Sequence, residues 1–231
     1  MVLPFSAAAP PPARRRTSFL TQGEIVAAAA VILERDGYDA LNMRTVAAEL
    51  RVQAAALYRH VQNRAELNDL LFDYLMADCA PRVRGIDWRE DMRLIANAWR
   101  QRLVSRRDAT RIALSQISIG PNIAPLMDAT FGALSRSGLS ENDVVEAYHA
   151  CLIFVHGFAS AEAGHRDLSS KLEGGVRIAP LRPEWAALYQ NLSRFADALS
   201  APLNFDGHFA FGLEALFAGI ERRIAVSPSA T

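Results

Sequence analysis

The sequence predicts an all-α protein of about nine or ten helices, with a three-helix helix-turn-helix unit at the N-terminus and a larger helical body after it. Three observations predict this. From Ser18 onward nearly every segment repeats its apolar residues at helical spacing, and no alternating strand pattern survives beyond a few residues. Residue types that cap helix N-termini stand just ahead of those stripes, several with an acidic residue three positions on. Between Asn42 and Arg64, two short apolar patterns are separated by only a tight turn, as in two helices packed at a steep angle.

The elements follow in order. Residues 1–17 are rich in Pro and Ala, lack periodicity, and read as a disordered basic arm carrying Arg14, Arg15 and Arg16. The first helix starts at Thr21, where Thr21 and Glu24 form a capping box. Ile25, Ala28, Ala29 and Ile32 make its apolar face, and Gly37 supplies a left-handed stop. Asn42 caps a second helix that buries Val46 and Leu50. After a turn at Arg51-Val52, a third runs from about Gln53 to His60, anchored by Leu57 and Val61. Asn63 with Glu66 repeats the capping logic and opens a fourth helix, with Leu67, Leu70, Leu71, Tyr74 and Leu75 on its stripe. This divides the chain into a helix-turn-helix domain over 18–64 and a body over 65–226, linked by a helix over 65–80.

Pro81 to Asp87 is a break. Asp87 and Glu90 then start a helix to Ser105 that contains Leu94, Ile95, Ala98, Trp99 and Leu103. A short helix falls at Asp108–Ser115, another begins at Gly120-Pro121 and ends against Gly138, and Ser140 caps a long apolar helix through Phe158. Gly164 to Arg182 is polar, contains Gly174-Gly175, and predicts a mobile loop. Pro183 opens a helix through Ala198, and the last helix runs from about Phe205 to Ile224.

With 25 basic and 25 acidic side chains, the chain is not one held to nucleic acid by bulk charge alone. Its positive charge is local: Arg14 to Arg64 carry eight arginines against five acids. Cys79 and Cys151 have no metal-ligand spacing and read as buried thiols in a reducing cytoplasm, the expected location. No apolar run approaches a membrane span, and the N-terminus lacks the order of a secretory signal. His149 and His156, seven apart on one helix face, span too far to share a metal and are expected as buried hydrogen-bonding residues. No cofactor or metal is expected. A rival reading is a small all-helical enzyme with an accessory DNA-binding-like domain. It finds no Gly-x-Ser-x-Gly, His-Glu-x-x-His or phosphate loop to support it, and Glu162 and His165 adjoin a predicted loop.

In a helix-turn-helix the first helix crosses the phosphate backbone and the start of the second meets base edges. Val46, Leu50, Val52, Leu57 and Val61 supply the inward contacts here. Arg44, Ala54, Ala55, Ala56, Tyr58, Arg59 and His60 are then outward. Arg44 or Arg59 suits the paired acceptors of guanine, a contact worth about 1–3 kcal/mol of discrimination. The alanine run permits close approach and contact with thymine methyls. Thr45, Tyr58, Asn63 and Arg64 suit phosphates, which set register. Arg14 to Arg16 either enter an adjacent minor groove or form a merely charged tail.

Thr21 to Asp78 closely resembles the N-terminal domain of the tetracycline repressor (TetR) family. The residues that carry the likeness are Gly37-Tyr38, Leu41 to Ala47, and above all Leu57-Tyr58-Arg59-His60-Val61 followed by Asn63 to Leu67. The resemblance implies Arg44 as a base contact, Gln53 to His60 as the recognition segment, and Tyr58 and Arg64 on phosphates. One position departs: Arg51 stands where the family usually carries Gly, so either the turn avoids positive φ or strain is tolerated.

Phe209 to Glu221 also resembles the end of the same family, in the branch of the tetracycline repressor itself, and Gly138 to Phe158 matches more weakly. Gly212 and Gly219, seven apart, suggest tight helix contact, with Gly157 and Ala161 as small positions on the partner helix. Two such helices per subunit form a four-helix interface in a homodimer. The resemblance places a pocket within the body, with Ile95, Trp99, Met127, Thr130, Phe131, Tyr148 and Ile153 at matching positions. That lining suits a small hydrophobic or aromatic effector. Where the tetracycline repressor has histidines for drug and magnesium, this chain has Ala80, Ala113 and Ile153. The function so implied is a ligand-responsive regulator, a repressor released from a palindromic double-stranded DNA operator.

Overall fold

The computed structural model describes residues 20–113, 118–172 and 182–226. Among them all regular structure is helical: eleven α-helices and one 3-10 turn, Tyr38–Ala40. The N-terminal unit comprises α1 (Gln22–Asp36), α2 (Met43–Glu49), α3 (Ala54–Leu57) and the start of α4 (Arg64–Leu75). The body comprises α5 (Trp88–Ser105), α6 (Ala109–Ala113), α7 (Ala124–Ser135), α8 (Glu141–Lys171), α9 (Pro183–Leu188), α10 (Gln190–Leu199) and α11 (Phe205–Val226). Arg14 to Arg16, Ser115 and Gly174-Gly175 lie outside the described residues.

Local chemistry sets the helix starts. Thr21 Oγ1 accepts from Glu24 N at 3.2 Å while Glu24 Oε2 accepts from Thr21 N at 2.9 Å, a closed capping box. Asn42 Oδ1 accepts from the amides of Arg44 and Thr45 at 3.0 and 3.1 Å. Asn63 caps α4 by accepting from Glu66 N at 3.0 Å, but Glu66 reaches back to Gln62 N instead of its cap residue. Gly37 (φ 88°) and Gly138 (φ 93°) take the left-handed conformations that end the preceding helices.

α1 packs on α2 and α4, and α5 lies against both α7 and α8, with α11 along α8. One continuous core joins the two regions: Ile25, Ile32, Leu57 and Phe72 at one end, and Trp99, Val155, Phe209 and Phe217 at the other.

Several expectations need correcting. α3 is one turn long, and Tyr58 to His60 continue it only as turns. Val52 is 36% exposed on the rim and Leu50 only half-buried. Tyr74 is 48% exposed, and Phe72 fills the core in its place. α4 touches partners on two sides, α1 and α6, so a single-stripe reading chose the wrong residue. It also stops at Leu75, five residues before Ala80, with Asp78 in a positive-φ turn (φ 56°).

The mobile loop expected from Gly164 is helical as far as Lys171. Its extension is tied down by Glu162, which is buried between Arg100 and Arg166 at 2.6 Å each, and by His165 edge-on to Phe205. The helix expected from Pro183 divides at Tyr189 into α9 and α10, which raises the count to eleven. At 31 residues, α8 is by length and composition apolar enough to cross a membrane, which run lengths alone did not suggest. Here it is a central body helix in contact with α5, α6, α7 and α11. Cys79 and Cys151 are buried free thiols, pushed up to about 11 by loss of solvent.

Candidate nucleic-acid interface and ligand cavity

The α2–α3 unit is held from beneath by Val46, Leu57 and Val61, each fully buried, so its outer side chains project from a fixed platform. Arg44, Arg51 and Arg59 are exposed there, with no ion-pair partner among the described residues. Gln53, Ala55 and Tyr58 are exposed beside them, while Ala54, Ala56 and His60 are half-buried, so the alanine run offers one outward methyl rather than three. The His60 carbonyl accepts from Gln22 Nε2 at 3.1 Å, pinning the end of this segment to α1.

Three of the expected phosphate contacts also have partners within the chain. Thr45 Oγ1 donates to the Ala40 carbonyl at 2.8 Å and accepts from Asn42 N at 3.0 Å, so its single hydroxyl proton serves the cap. Asn63 Oδ1 serves the α4 cap. Arg64 is exposed but lies over the Tyr38 ring at 5.0 Å. Arg51 does take positive φ (55°); its amide bonds to Ala48 O, and the Val52 amide reaches Ala47 O at 2.9 Å, closing α2 without glycine.

Two sets of contacts bind this unit to the body. On one side Asp108 Oδ2 accepts from Tyr38 N at 2.8 Å, and Arg111 grips Asp39 at 2.8 and 3.2 Å. Arg107 donates to the last carbonyls of α1, Glu34 O and Arg35 O. On the other side, the buried Asp73 carboxylate of α4 accepts from Asn122 N (2.9 Å), Ile123 N (3.0 Å) and Asn122 Nδ2 (2.9 Å). Ser118 Oγ donates to Asp69 at 2.8 Å. Residues 118–123 are thus docked on α4 by two aspartates.

The same segment walls a cavity of about 580 Å³ with α5, α6, α7 and α8, open to solvent where Ile119 and Ile153 are exposed. Trp99, Met127, Tyr148 and Ile153, four of the seven expected pocket residues, line it. Ile95, Thr130 and Phe131 do not. Ile95 is fully in the core, the Thr130 hydroxyl is spent on Leu126 O at 2.7 Å, and Phe131 stacks on Tyr148 with centroids 4.6 Å apart. Sequence reasoning missed Ile119, Ile123, His149, Leu152 and His156. The helical spacing of His149, Leu152, Ile153 and His156 was a usable signal; the turn residues Ile119 and Ile123 gave none.

The two histidines differ from expectation. His149 is exposed, with Nδ1 at 2.9 Å from Val145 O. His156 is mostly buried, with its ring against Trp99 (5.1 Å, edge-on) and Phe72. Burial holds its pKa down at about 4, so the ring is neutral at pH 7. His156 Nε2 and Trp99 Nε1 are both buried without a hydrogen-bond partner. A larger groove of about 780 Å³ lies between the N-terminal unit and the body, among α1, α4 and α5, and is lined by the charged Glu34, Arg35, Asp78, Arg102 and Arg106.

The outer faces of α8 and α11 form a largely apolar groove lined by Leu139, Ala147, Cys151, Leu216, Gly219 and Ile220, with the charged Asp143, Glu146 and Arg223 also on it. A Cβ on Gly212 would meet the Phe154 ring at 2.5 Å, so a side chain here would have to push that ring aside within the chain. Gly219 has nothing within 4 Å of that position and faces the open groove. Gly157 lines the cavity instead, so the small groove positions of α8 are Ala147 and Ala150.

Comparison with known proteins agrees with this geometry. Residues 25–69 match the family model for bacterial regulatory proteins of the tetR family, and residues 81–224 match that for the tetracyclin repressor-like C-terminal domain. An HTH-type transcriptional regulator of Saccharopolyspora erythraea is 32% identical over 212 residues, 87% of this chain and 84% of that protein. The class A tetracycline repressor from transposon 1721 of Escherichia coli is 31% identical, covering 88% and 92%. Among solved structures, ActR from Streptomyces coelicolor in complex with actinorhodin superposes with a TM-score of 0.73. It is 30% identical, over 92% of this chain and 99% of that one.

Proposed function

Because the chain belongs to the TetR family of bacterial regulators, we propose that it is a homodimeric repressor, released from a palindromic DNA operator by a small hydrophobic or aromatic effector. In this reading it acts in the cytoplasm and catalyses no reaction. Arg44 and Arg59 read base edges, assisted by Gln53, Ala55 and His60, while Tyr58 and Arg51 engage phosphates. The α8–α11 groove joins two protomers so that their recognition segments meet successive major grooves about 34–36 Å apart.

One observation carries the regulatory part. The segment that walls the cavity is bonded to α4, the helix that begins at the reading unit, through Asp73 and Asp69. An effector that displaces residues 118–123 therefore moves α4 with them and alters the spacing of the two readers. A coupling of about 1–3 kcal/mol suffices for a 5- to 150-fold loss of operator affinity. The effector is aromatic and largely apolar in keeping with the lining. A relative of similar length, ActR, is described in complex with actinorhodin. Binding of a metal–tetracycline complex through histidines is not part of the proposal, since Ala80, Ala113 and Ile153 hold those places.

The test is selection of a duplex from random DNA followed by fluorescence anisotropy. We expect a palindromic site and at least a tenfold loss of affinity for Arg44→Ala combined with Tyr58→Ala. Undiminished binding by that double variant would remove the assigned surface.

A further inference from the structure

The cavity wall is apolar apart from a few groups, and no charged side chain lines it among the described residues. Two of the residues on that wall, Trp99 and His156, carry buried nitrogens without hydrogen-bond partners, Nε1 and Nε2. Their rings meet edge to face, with centroids 5.1 Å apart, on the same wall. A buried polar atom with no partner is rare in folded proteins and calls for an occupant. The two atoms are complementary: indole nitrogen only donates, whereas a neutral imidazole in its Nδ1–H form accepts at Nε2.

We infer that the cavity takes an uncharged aromatic ligand bearing a phenolic hydroxyl, whose oxygen accepts from Trp99 Nε1–H and whose proton is donated to His156 Nε2. A hydroxyl can satisfy both atoms, its oxygen accepting at one and its proton donated to the other. An ether satisfies only Trp99. A carboxylate has no proton for Nε2 and enters a site without a cation. Tyr148, stacked on Phe131, presents an aromatic surface for the ligand's rings. A 580 Å³ cavity is within the range that holds drug-sized molecules. The inference rests on the cavity being the effector site and adds the polar chemistry by which that site selects its ligand.

The test uses three probes of one shape, 2-hydroxyphenanthrene, 2-methoxyphenanthrene and phenanthrene-2-carboxylate, titrated against the full-length protein by calorimetry at pH 7.5. The hydroxyl compound is expected to bind at least tenfold more tightly than the ether, and the carboxylate most weakly. In His156→Phe, which keeps an aromatic edge against Trp99, the hydroxyl compound falls to the affinity of the ether while the ether is unchanged. In the unaltered protein, the Trp99 indole N–H proton resonance moves downfield on adding the hydroxyl compound, a readout that needs no variant to fold. Equal affinity for hydroxyl and ether, tightest binding of the carboxylate, a preference that survives His156→Phe, or an unmoved indole resonance each overturns the inference and leaves the cavity as the effector site. Failure of all three probes to bind overturns the cavity reading as well.

Discussion

Arg51 holds the turn between α2 and α3 at φ 55°, a conformation that costs an L-residue roughly 1–2 kcal/mol and glycine nothing. Glycine returns part of that gain through unfolded-chain entropy. Arg51→Gly is therefore expected to stabilise the protein by about 1 kcal/mol in urea unfolding, while lowering DNA affinity through loss of an exposed charge. His156 carries a second prediction. Its folded pKa of about 4 lies below the ordinary 6.5, so between those values the unfolded chain binds a proton that the folded chain refuses. Stability must then rise with pH across that window and fall as pH drops from 6.5 towards 4. At pH 5 the loss relative to pH 7 is roughly 2 kcal/mol. His156→Phe should lose less stability than the parent over the same interval by about that amount, as measured by urea titration at the two pH values.

At the scale of elements, α4 is less a spacer than a clamp. Its Asp73 carboxylate satisfies two backbone amides of the 122–123 turn, and a Cβ on Gly120 would lie 2.3 Å from the Asp73 carboxyl carbon. Asp73→Ala leaves those donors unpaired at about 1–3 kcal/mol each. The expected result is a loss of roughly 3 kcal/mol of stability and faster hydrogen exchange at Asn122 and Ile123. Gly120→Ala should reproduce that pattern, because the added methyl must push the same carboxylate aside; unchanged exchange in both variants would dissociate the turn from α4. The helix ends were legible because capping is local: Thr21, Asn42, Asn63 and Ser140 each bond amides two or three residues away. The run of α8 to Lys171 was not, because Glu162 is neutralised by Arg100 from α5, 62 positions earlier in the chain.

For the whole molecule, the proposed dimer interface along α8 and α11 would make DNA affinity depend on assembly. Gly219 has open space in front of it within the chain, whereas Gly212 is already filled by Phe154. Gly219→Arg should leave helical content intact, convert the dimer to monomer in sedimentation, and lower operator affinity by more than tenfold. A variant that stays dimeric would move the interface elsewhere. Gly212→Ala, by contrast, is expected to cost stability without changing assembly, since its lesion falls inside one protomer. The body also carries ion pairs that lock α5 to α11: Arg89 bonds Glu214 and Glu221, and Arg93 bonds Glu214 at 2.6 Å. Being partly solvent-exposed, they fix orientation more than they add stability.

The sequence alone determined the helical class, the caps, the breaks at Gly37, Pro81 and Gly138, and the presence of two short helices between Asn42 and Arg64. Each is encoded within a few residues, by spacing and by hydrogen bonds a side chain makes to its own neighbours. Only the tertiary structure decided that Phe72 rather than Tyr74 enters the core, that Thr45 serves the backbone, and that His156 rather than Phe131 reaches the cavity. It also placed Gly219 on the open groove and Gly157 on the cavity wall. Those outcomes depend on which neighbour faces which side of a helix, and a periodic pattern shows that a face is buried without saying against what.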